Sequence, residues 1–180
     1  MILIISGTNR PGSNTRKVVA QLEAIYSALS VPVQVLDLAQ LPPSIILPSV
    51  YAQKPIEFQS FSDAVRAAEG LVVVTPEYNG SFPGILKYFM DLLPFPESFE
   101  HRPVCFVGLA AGMWGALRAV EQLQAIFGYR NAHIFPERVF IPGVAKMVDA
   151  AGRFANTDME QRWEKQAAGF VDFVKKLKAK

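Results

Sequence analysis

The stretch "MILIISGTNRPGSNTRK" (residues 1–17) places an apolar run directly before a segment of glycine, proline and small polar residues. The apolar run predicts a strand, and the apolar spacing that follows predicts a helix over residues 14–29. Ser13 or Asn14 is suited to cap the N-terminus of that helix. Residues 7–15, at the junction of the strand and the helix, form either a capped turn or an anion-binding site made of backbone N–H groups. The other motifs of the chain are needed to decide between these two interpretations.

Further apolar runs alternate with amphipathic helical patterns along the chain. The runs are "VPVQVLDL" (31–38), "GLVVVT" (70–75), "PVCFVGLA" (103–110) and a broken final strand, "NAHIFPERVFIPG" (131–143). The helical patterns include "FSDAVRAAEG", which we predict to end at Gly70, and a helix over residues 112–128. Strands alternating with helices predict an α/β fold with a parallel sheet covered on both faces.

The number and handedness of these units narrow the topology. Right-handed crossovers and five strands favour the flavodoxin-like order 2-1-3-4-5. The predicted fold is therefore a three-layer αβα sandwich that forms a single domain over residues 1–180. Periodicity alone also leaves a small variant of the Rossmann fold open.

Composition excludes several classes of protein. Hydrophobic residues make up 51% of the 180 residues and the net charge is +2, so we expect neither disorder nor a nucleic-acid-binding or membrane surface. No run approaches the roughly 18 apolar residues of a membrane helix, and we expect a cytoplasmic protein. The single cysteine, Cys105, is predicted to be buried, and the separation of His101 from His133 predicts no metal site.

Three glycine-bearing loops are expected to converge. In an open parallel sheet a ligand binds beyond the carboxyl ends of the strands, where the strand order reverses. Here the reversal falls between the first and third strands, which are followed by "GTNRPGSNT" (7–15) and "TPEYNGSFPG" (75–84). The loop after the fourth strand, "LAAGMWGA" (109–116), is their neighbour. One crevice is therefore predicted where these loops meet.

The first loop has donors that suit a phosphate group. Thr8, Ser13 and Thr15 offer hydroxyls, Asn14 an amide and Arg10 a guanidinium. The start of a helix adds free N–H groups and the positive end of its dipole. The spacing matches neither G-x-G-x-x-G nor G-x-x-x-x-G-K-[ST], so a dinucleotide or P-loop site is disfavoured.

The second loop has a different character. "PEYNGS" (76–81) combines a proline, an aromatic ring and a small turn, with backbone N–H groups available to a planar heterocycle. Tyr78 is expected to flank such a ring or to cover the loop. Nothing near Glu77 in the sequence indicates a partner for acid–base chemistry, so we assign it no catalytic role.

These motifs together resemble the NAD(P)H-dependent FMN reductases of flavodoxin-like fold, a family that includes flavin, quinone, chromate and azo-dye reductases. The family's first loop, G-S-x-R-x-x-S, appears here as "GTNRPGS", and its second motif, P-E-Y-N-x-S-x-P-G-x-L-K, appears as "PEYNGSFPGILK". The stretch "AGMWGALRAVEQLQAI" is similar to the third motif, G-x-x-G-G-x-R-A. Tyr88, Ala116 and Gln124 depart from the residues common in the family.

The resemblance implies FMN and NADPH or NADH as cofactors, with ping-pong hydride transfer through the flavin N5 and no catalytic side chain. The residues that would hold the FMN phosphate are Thr8, Arg10, Ser13, Asn14 and Thr15. The residues that would line the isoalloxazine are Pro76, Glu77, Tyr78, Asn79 and Gly80, with Ala110 and Gly112 at its pyrimidine side. We expect Phe82, Tyr88 and Trp114 either to line the nicotinamide site or to belong to the core or to a subunit interface.

The resemblance also implies partners. The acceptor would be a small molecule such as a flavin or a quinone, and the chain would form a homodimer or homotetramer. The segment "DLLP" (91–94) resembles the branch that supplies reduced flavin to flavin-dependent monooxygenases. Two other functions stay open: a flavodoxin-type electron carrier that binds FMN without nicotinamide turnover, and a protein-interaction scaffold that binds no flavin.

Overall fold

The computed structural model describes residues 1–147, 153 and 157–179, and its centre is a parallel sheet. The strands are β1 (Ile2–Ser6), β2 (Val33–Asp37), β3 (Gly70–Pro76), β4 (Pro103–Leu109), β5 (His133–Ile134) and β6 (Val139–Ile141). Their order is β2-β1-β3-β4-β5, and β6 also pairs with β4. This confirms the predicted order 2-1-3-4-5.

The predicted final strand is split into β5 and β6, so that the sheet has six strands. β5 pairs with the start of β4 and β6 with its end. Pro136 lies in the interruption between them, and proline has no N–H to donate to a sheet ladder.

Helices cover both faces of the sheet. They are α1 (Asn14–Ala28), α2 (Gln59–Ala67), α3 (Gly84–Leu92), α4 (Leu117–Tyr129), α5 (Val144–Met147) and α6 (Thr157–Lys178). Four short 3-10 helices form the connection between residues 38 and 58. Among the described residues, no helix combines the length and apolar composition needed to cross a membrane.

Alternating side chains of each strand supply the two halves of the core. Ile2 and Ile4 of β1 pack with α1 and α6, whereas Leu3 and Ile5 pack with α2, α3 and α4. Because both faces are buried, every residue of β3 and β4 is buried, as the apolar runs predicted. The αβα sandwich is thus confirmed.

Gly70 does not end α2, which stops at Ala67, and this prediction was wrong. Gly70 is instead the first residue of β3. A Cβ at this position would lie 2.8 Å from Val174 Cγ2 and 3.1 Å from the Phe170 ring. The absence of a side chain at Gly70 therefore allows α6 to pack closely against the sheet. The residues next to Gly70 in the sequence do not indicate this contact with α6.

Candidate functional site

A crevice lies at the carboxyl ends of β1, β3 and β4, where the strand order reverses. It has a volume of about 440 Å³ and is lined by residues 10–15, 76–78 and 109–111, with Val144. A second cavity of about 270 Å³ shares Glu77, Ala110 and Ala111 with it. That cavity continues along the loops to Asn79, Gly80, Gly112, Trp114 and Arg118. The structure therefore brings the three predicted loops together.

The first loop presents an open helix N-terminus to the crevice. Ser13 is the N-cap of α1, and its Oγ accepts a hydrogen bond from the Arg16 N–H at 3.2 Å. Within the described part of the chain, the N–H groups of residues 12–15 donate to no protein acceptor. All four of these residues line the crevice. The loop is thus the capped turn, and capping by Ser13 leaves the other N–H groups without a protein acceptor, as an anion-binding helix N-terminus requires.

Arg10 adds a charge at the same end of the crevice. Its side chain is exposed, and in the residues that the structure covers no carboxylate lies within 4 Å of its guanidinium. The backbone N–H of Arg10 donates to Thr8 Oγ1 at 3.3 Å. The guanidinium is therefore not engaged by another side chain among the described residues.

Thr8 is placed differently from the other predicted phosphate ligands. It is buried and does not line the crevice. Its Oγ1 lies 3.0 Å from the Tyr78 hydroxyl, so the two side chains share a hydrogen bond. Thr8 therefore joins the first loop to the second.

The second loop is a tight turn held by its own backbone. The Tyr78 N–H donates to the Ser81 carbonyl at 2.7 Å, and the Ser81 N–H donates back to the Tyr78 carbonyl at 3.0 Å. Asn79 and Gly80 have φ values of 52° and 76°, as a two-residue type I′ turn requires. The dipeptide Asn-Gly is the sequence signature of this turn, so its type is predictable from sequence beyond the small turn expected above.

Gln122 of α4 fixes this turn from outside. Its Oε1 accepts a hydrogen bond from Ser81 Oγ at 2.5 Å, and its Nε2 donates to the Gly80 carbonyl at 3.3 Å. Sequence reasoning missed Gln122 because a contact across 41 residues leaves no local signal.

Glu77 and Arg118 form the wall of the smaller cavity. Arg118 Nη1 lies 3.4 Å from Glu77 Oε1, and the Glu77 side chain is largely buried. Glu77 Oε2 is buried with no hydrogen-bond partner among the described residues. Arg118 was also missed as a site residue, although it matches the arginine of the third motif, G-x-x-G-G-x-R-A.

The third loop is held by β6. The Ala110 N–H donates to the Ile141 carbonyl, and the Gly143 N–H donates to the Gly112 carbonyl. α4 begins at Leu117 rather than Gly112, because Gly115 and Ala116 have φ values of 58° and 72°, which a right-handed helix does not allow. A Cβ on Gly115 would lie 2.8 Å from the Ile141 N, so glycine is needed for this contact.

The crevice has features that fit FMN. The open N–H groups and Arg10 form a cradle for a phosphate at one end of the crevice, and the fixed backbone of residues 76–80 and 110–112 forms a wall for a planar ring at the other. A family model described as NADPH-dependent FMN reductase matches residues 1–146. The chain belongs to this family.

As a member of the NADPH-dependent FMN reductase family, the chain is an FMN-dependent oxidoreductase that uses NAD(P)H. It is 28% identical to an NAD(P)H-dependent FMN reductase of Pseudomonas aeruginosa, across 98% of this chain and 96% of the relative. It is 31% identical to an NADPH azoreductase of a Bacillus species, across 79% of this chain and 77% of the relative.

Solved structures agree on the fold of this family member. The flavoenzyme FerB of Paracoccus denitrificans, an NAD(P)H:(acceptor) oxidoreductase, superposes with a TM-score of 0.82 at 22% identity, covering 97% of each chain. An archaeal flavodoxin superposes with a TM-score of 0.65 at 15% identity, covering 97% of this chain and 99% of the other.

The three aromatic residues considered for the nicotinamide site are in different places. Trp114 is half-exposed and lines the smaller cavity. Tyr88 packs edge-to-face against Tyr51, with ring centroids 6.3 Å apart, and Phe82 packs against the core. Of the three, Trp114 alone lines the site.

Other reactive side chains lie away from the crevice. Cys105 is buried in β4, and burial raises the pKa of its thiol well above the usual range, so the thiolate is not formed at neutral pH. The rings of His101 and His133 lie 5.5 Å apart, despite their separation in sequence. They lie near the amino ends of β4 and β5, whereas the crevice is at the carboxyl ends of the strands. No cluster of three or more His, Cys, Asp or Glu side chains suited to a metal occurs among the described residues.

Proposed function

We propose that this family member uses the crevice formed by the three loops to pass electrons from NAD(P)H to a small acceptor, such as a flavin or a quinone. FMN, when bound, supplies the hydride and electron chemistry, while the protein binds and orients it. The observation that carries the proposal is that a cradle of free N–H groups and a rigid backbone wall line one continuous crevice.

The first loop would hold the phosphate. We assign this role to Arg10, Ser13, Asn14 and Thr15, all of which line the crevice at the N-terminus of α1. Charge-assisted hydrogen bonds and the helix dipole favour a dianion there. We assign Thr8 an indirect part, because its hydroxyl reaches Tyr78 and not the crevice.

The second and third loops would hold the ring. The rigid turn after Pro76 and Glu77, which includes Tyr78, Asn79 and Gly80, would line one side. Ala110 and Gly112, held by β6, would lie at the pyrimidine side. The site contains no side chain positioned as a nucleophile, so we assign the protein the tasks of orientation and exclusion of water.

We propose further that the chain is a single cytoplasmic domain that assembles into a homodimer or homotetramer. NAD(P)H is a cytoplasmic reductant, and several large apolar side chains in the 38–58 connection are exposed, namely Ile46, Leu47, Tyr51 and Ile56. Apolar side chains grouped in this way are typical of protein interfaces. A flavin-dependent monooxygenase is a candidate recipient of the reduced flavin.

Steady-state oxidation of NADPH and NADH tests this function. The FMN-loaded protein should oxidise at least one of them with FMN or a quinone as acceptor, and the two kcat/KM values give the preferred nicotinamide. A flavodoxin-type carrier would bind FMN and oxidise neither nicotinamide with any acceptor, and that result would overturn the proposal. A protein-interaction scaffold would remain colourless after FMN is added.

A further inference from the structure

Another pocket lies between α6 and residues 137–140, the segment that leads into β6. Its volume is about 320 Å³, and it shares no residue with the crevice. We call it the basic pocket, defined by Glu137, Arg138, Val139, Phe140, Arg162, Lys165 and Gln166.

Positive charge is concentrated in the basic pocket. Three cations and one carboxylate line it, a formal excess of two positive charges, which equals the net charge of the whole chain. Some cations of this protein, such as Arg16 and Lys87, have a carboxylate within 4 Å, whereas others do not. In the described part of the chain, Arg138, Arg162 and Lys165 have none. Glu137 offsets part of this charge, and the remaining excess of two positive charges has no ion-pair partner among the described residues.

The floor of the basic pocket is rigid. Gln166 of α6 is buried, with 2% of its surface exposed. Its Nε2 donates to the carbonyls of Phe106 in β4 and Glu137, each at 3.0 Å. These bonds fix α6 against the sheet and hold the backbone that carries Arg138.

One of the three cations, Arg138, is held by contacts with its neighbours. The Arg138 guanidinium lies 5.5 Å from the centroid of the Phe140 ring and donates to Gln124 Oε1 at 3.0 Å. Arg162 and Lys165 are three residues apart on α6 and lie on one face of that helix. Two guanidinium groups and an ammonium group therefore surround a space large enough for a small ligand.

We propose that the basic pocket binds a dianionic phosphate group, either free or as a monoester. Guanidinium groups bind phosphate oxygens through paired, charge-assisted hydrogen bonds, and lysine adds a point charge. Phe140 provides an apolar surface beside the cations for the organic part of a monoester. Because no residue is shared with the crevice, this site is separate from the proposed flavin site.

NMR titration of the FMN-loaded protein with inorganic phosphate tests this proposal. Loading with FMN occupies the first loop, so that phosphate bound there does not confuse the result. We expect saturable shifts of the backbone amides of residues 137–140 and of the Gln166 side-chain amide. Sodium chloride at the same ionic strength should not cause them. A parallel titration with phenyl phosphate distinguishes a monoester from free phosphate as the preferred ligand. A monoester that contacts Phe140 should saturate the shifts at a lower concentration than free phosphate does.

The double variant Arg162→Gln/Lys165→Gln should weaken phosphate binding at least about tenfold, as expected for the loss of charged hydrogen-bond donors. Lys175→Gln, an exposed cation of α6 outside the pocket, is the matched control and should titrate like the wild type. Arg138→Gln, a variant of a pocket cation outside α6, should also weaken phosphate binding. The absence of saturable shifts, equal shifts with chloride, or unchanged affinity of the double variant would overturn the proposal.

Discussion

The first and second loops line the same crevice, but their backbone hydrogen-bonding groups have different partners. In the first loop the N–H groups of residues 12–15 have no protein acceptor among the described residues. In the second loop Tyr78 and Ser81 bond each other, and Gln122 bonds the Gly80 carbonyl and the Ser81 hydroxyl. The first loop offers the free donors of a helix N-terminus, whereas the second loop is a turn held by its own backbone and by Gln122, in which the N–H groups of Asn79 and Gly80 donate to no acceptor among the described residues.

From this difference we expect two modes of recognition within the proposed site. An open helix N-terminus with a free arginine selects charge, so its contribution should depend on the ligand's phosphate and on salt. A closed turn selects shape, so its contribution should depend on the ring and not on the phosphate. Riboflavin, which has the ring of FMN without the phosphate, separates the two modes experimentally.

The largest effect is expected for Gly7→Ala, which disturbs both loops at once. A Cβ at Gly7 would lie 2.6 Å from the carbonyl oxygen of Val74 in β3, whereas a Cβ at Gly12 would meet nothing within 4 Å. Forcing β1 and β3 apart should lower the free energy of unfolding by about 1–3 kcal/mol. Urea unfolding measures this change, and both FMN and riboflavin binding should weaken.

Gly12→Ala is the companion to Gly7→Ala. Gly12 has a φ of 63°, so alanine there should cost only about 1 kcal/mol of backbone strain. The strain falls in the phosphate cradle, and we expect FMN binding to suffer more than riboflavin binding. If Gly7→Ala were as stable as the wild type, the strands would tolerate the extra methyl group. The predicted contrast between Gly7, which contacts β3, and Gly12, which contacts nothing, would then be wrong.

The next effect concerns the charge of the first loop. Arg10→Ala should weaken FMN binding about 10- to 100-fold, the usual value for losing a charge-assisted hydrogen bond. Because the Arg10 side chain has no partner among the described residues, the free energy of unfolding of the FMN-free protein should not change. Fluorescence titration with FMN and riboflavin measures the effect, and only FMN should be affected.

Arg66→Ala is the matched control for Arg10, since Arg66 is an exposed cation of α2 that lies outside the crevice. It should bind FMN as the wild type does. Unchanged FMN affinity of Arg10→Ala at moderate salt would contradict the role given to Arg10.

The sequence was sufficient for the order of strands and for the position of the crevice. Alternating apolar runs determine which faces of β3 and β4 are buried, and the topology then places three loops together. It also narrowed the N-cap of α1 to Ser13 or Asn14, because N-capping depends on residues close in the chain, and the structure assigns Ser13.

Contacts between distant residues could not be predicted in the same way. Gly70 is required by α6, Gly115 by β6, and Gln122 fixes a turn 41 residues earlier. The start of α4 was predicted too early, because the left-handed conformation of Ala116 comes from packing and opposes the preference of alanine. Thr8 fits the motif for a phosphate ligand, yet the fold directs its hydroxyl to Tyr78.

The hydrogen bond between Thr8 and Tyr78 is the direct link between the two loops. Tyr78→Phe removes the hydroxyl and keeps the ring, so we expect a loss of about 0.5–1.5 kcal/mol in the free energy of unfolding. Thr8→Val should cause a larger loss, because Thr8 Oγ1 also accepts a hydrogen bond from the Arg10 N–H, and the double variant should lose less than the sum of the two. Tyr129→Phe, at an exposed tyrosine, is the control. Additive losses in the double variant would show that the hydroxyls act independently.

The smallest effect is expected for Gln122→Ala, which releases the second loop and leaves the first unchanged. Two hydrogen bonds to the turn are lost, both at exposed positions, so the cost should be about 0.5–1 kcal/mol. Hydrogen exchange of the Ser81 amide should become faster, because the Tyr78–Ser81 turn opens more often. FMN and riboflavin binding should weaken by the same factor, in contrast to Arg10→Ala. Glu121→Ala, at the neighbouring exposed position of α4, controls for the change in helix propensity. If Gln122→Ala weakened FMN binding but not riboflavin binding, the second loop would also be sensing the phosphate, and the division between a charge-selecting and a shape-selecting loop would be wrong.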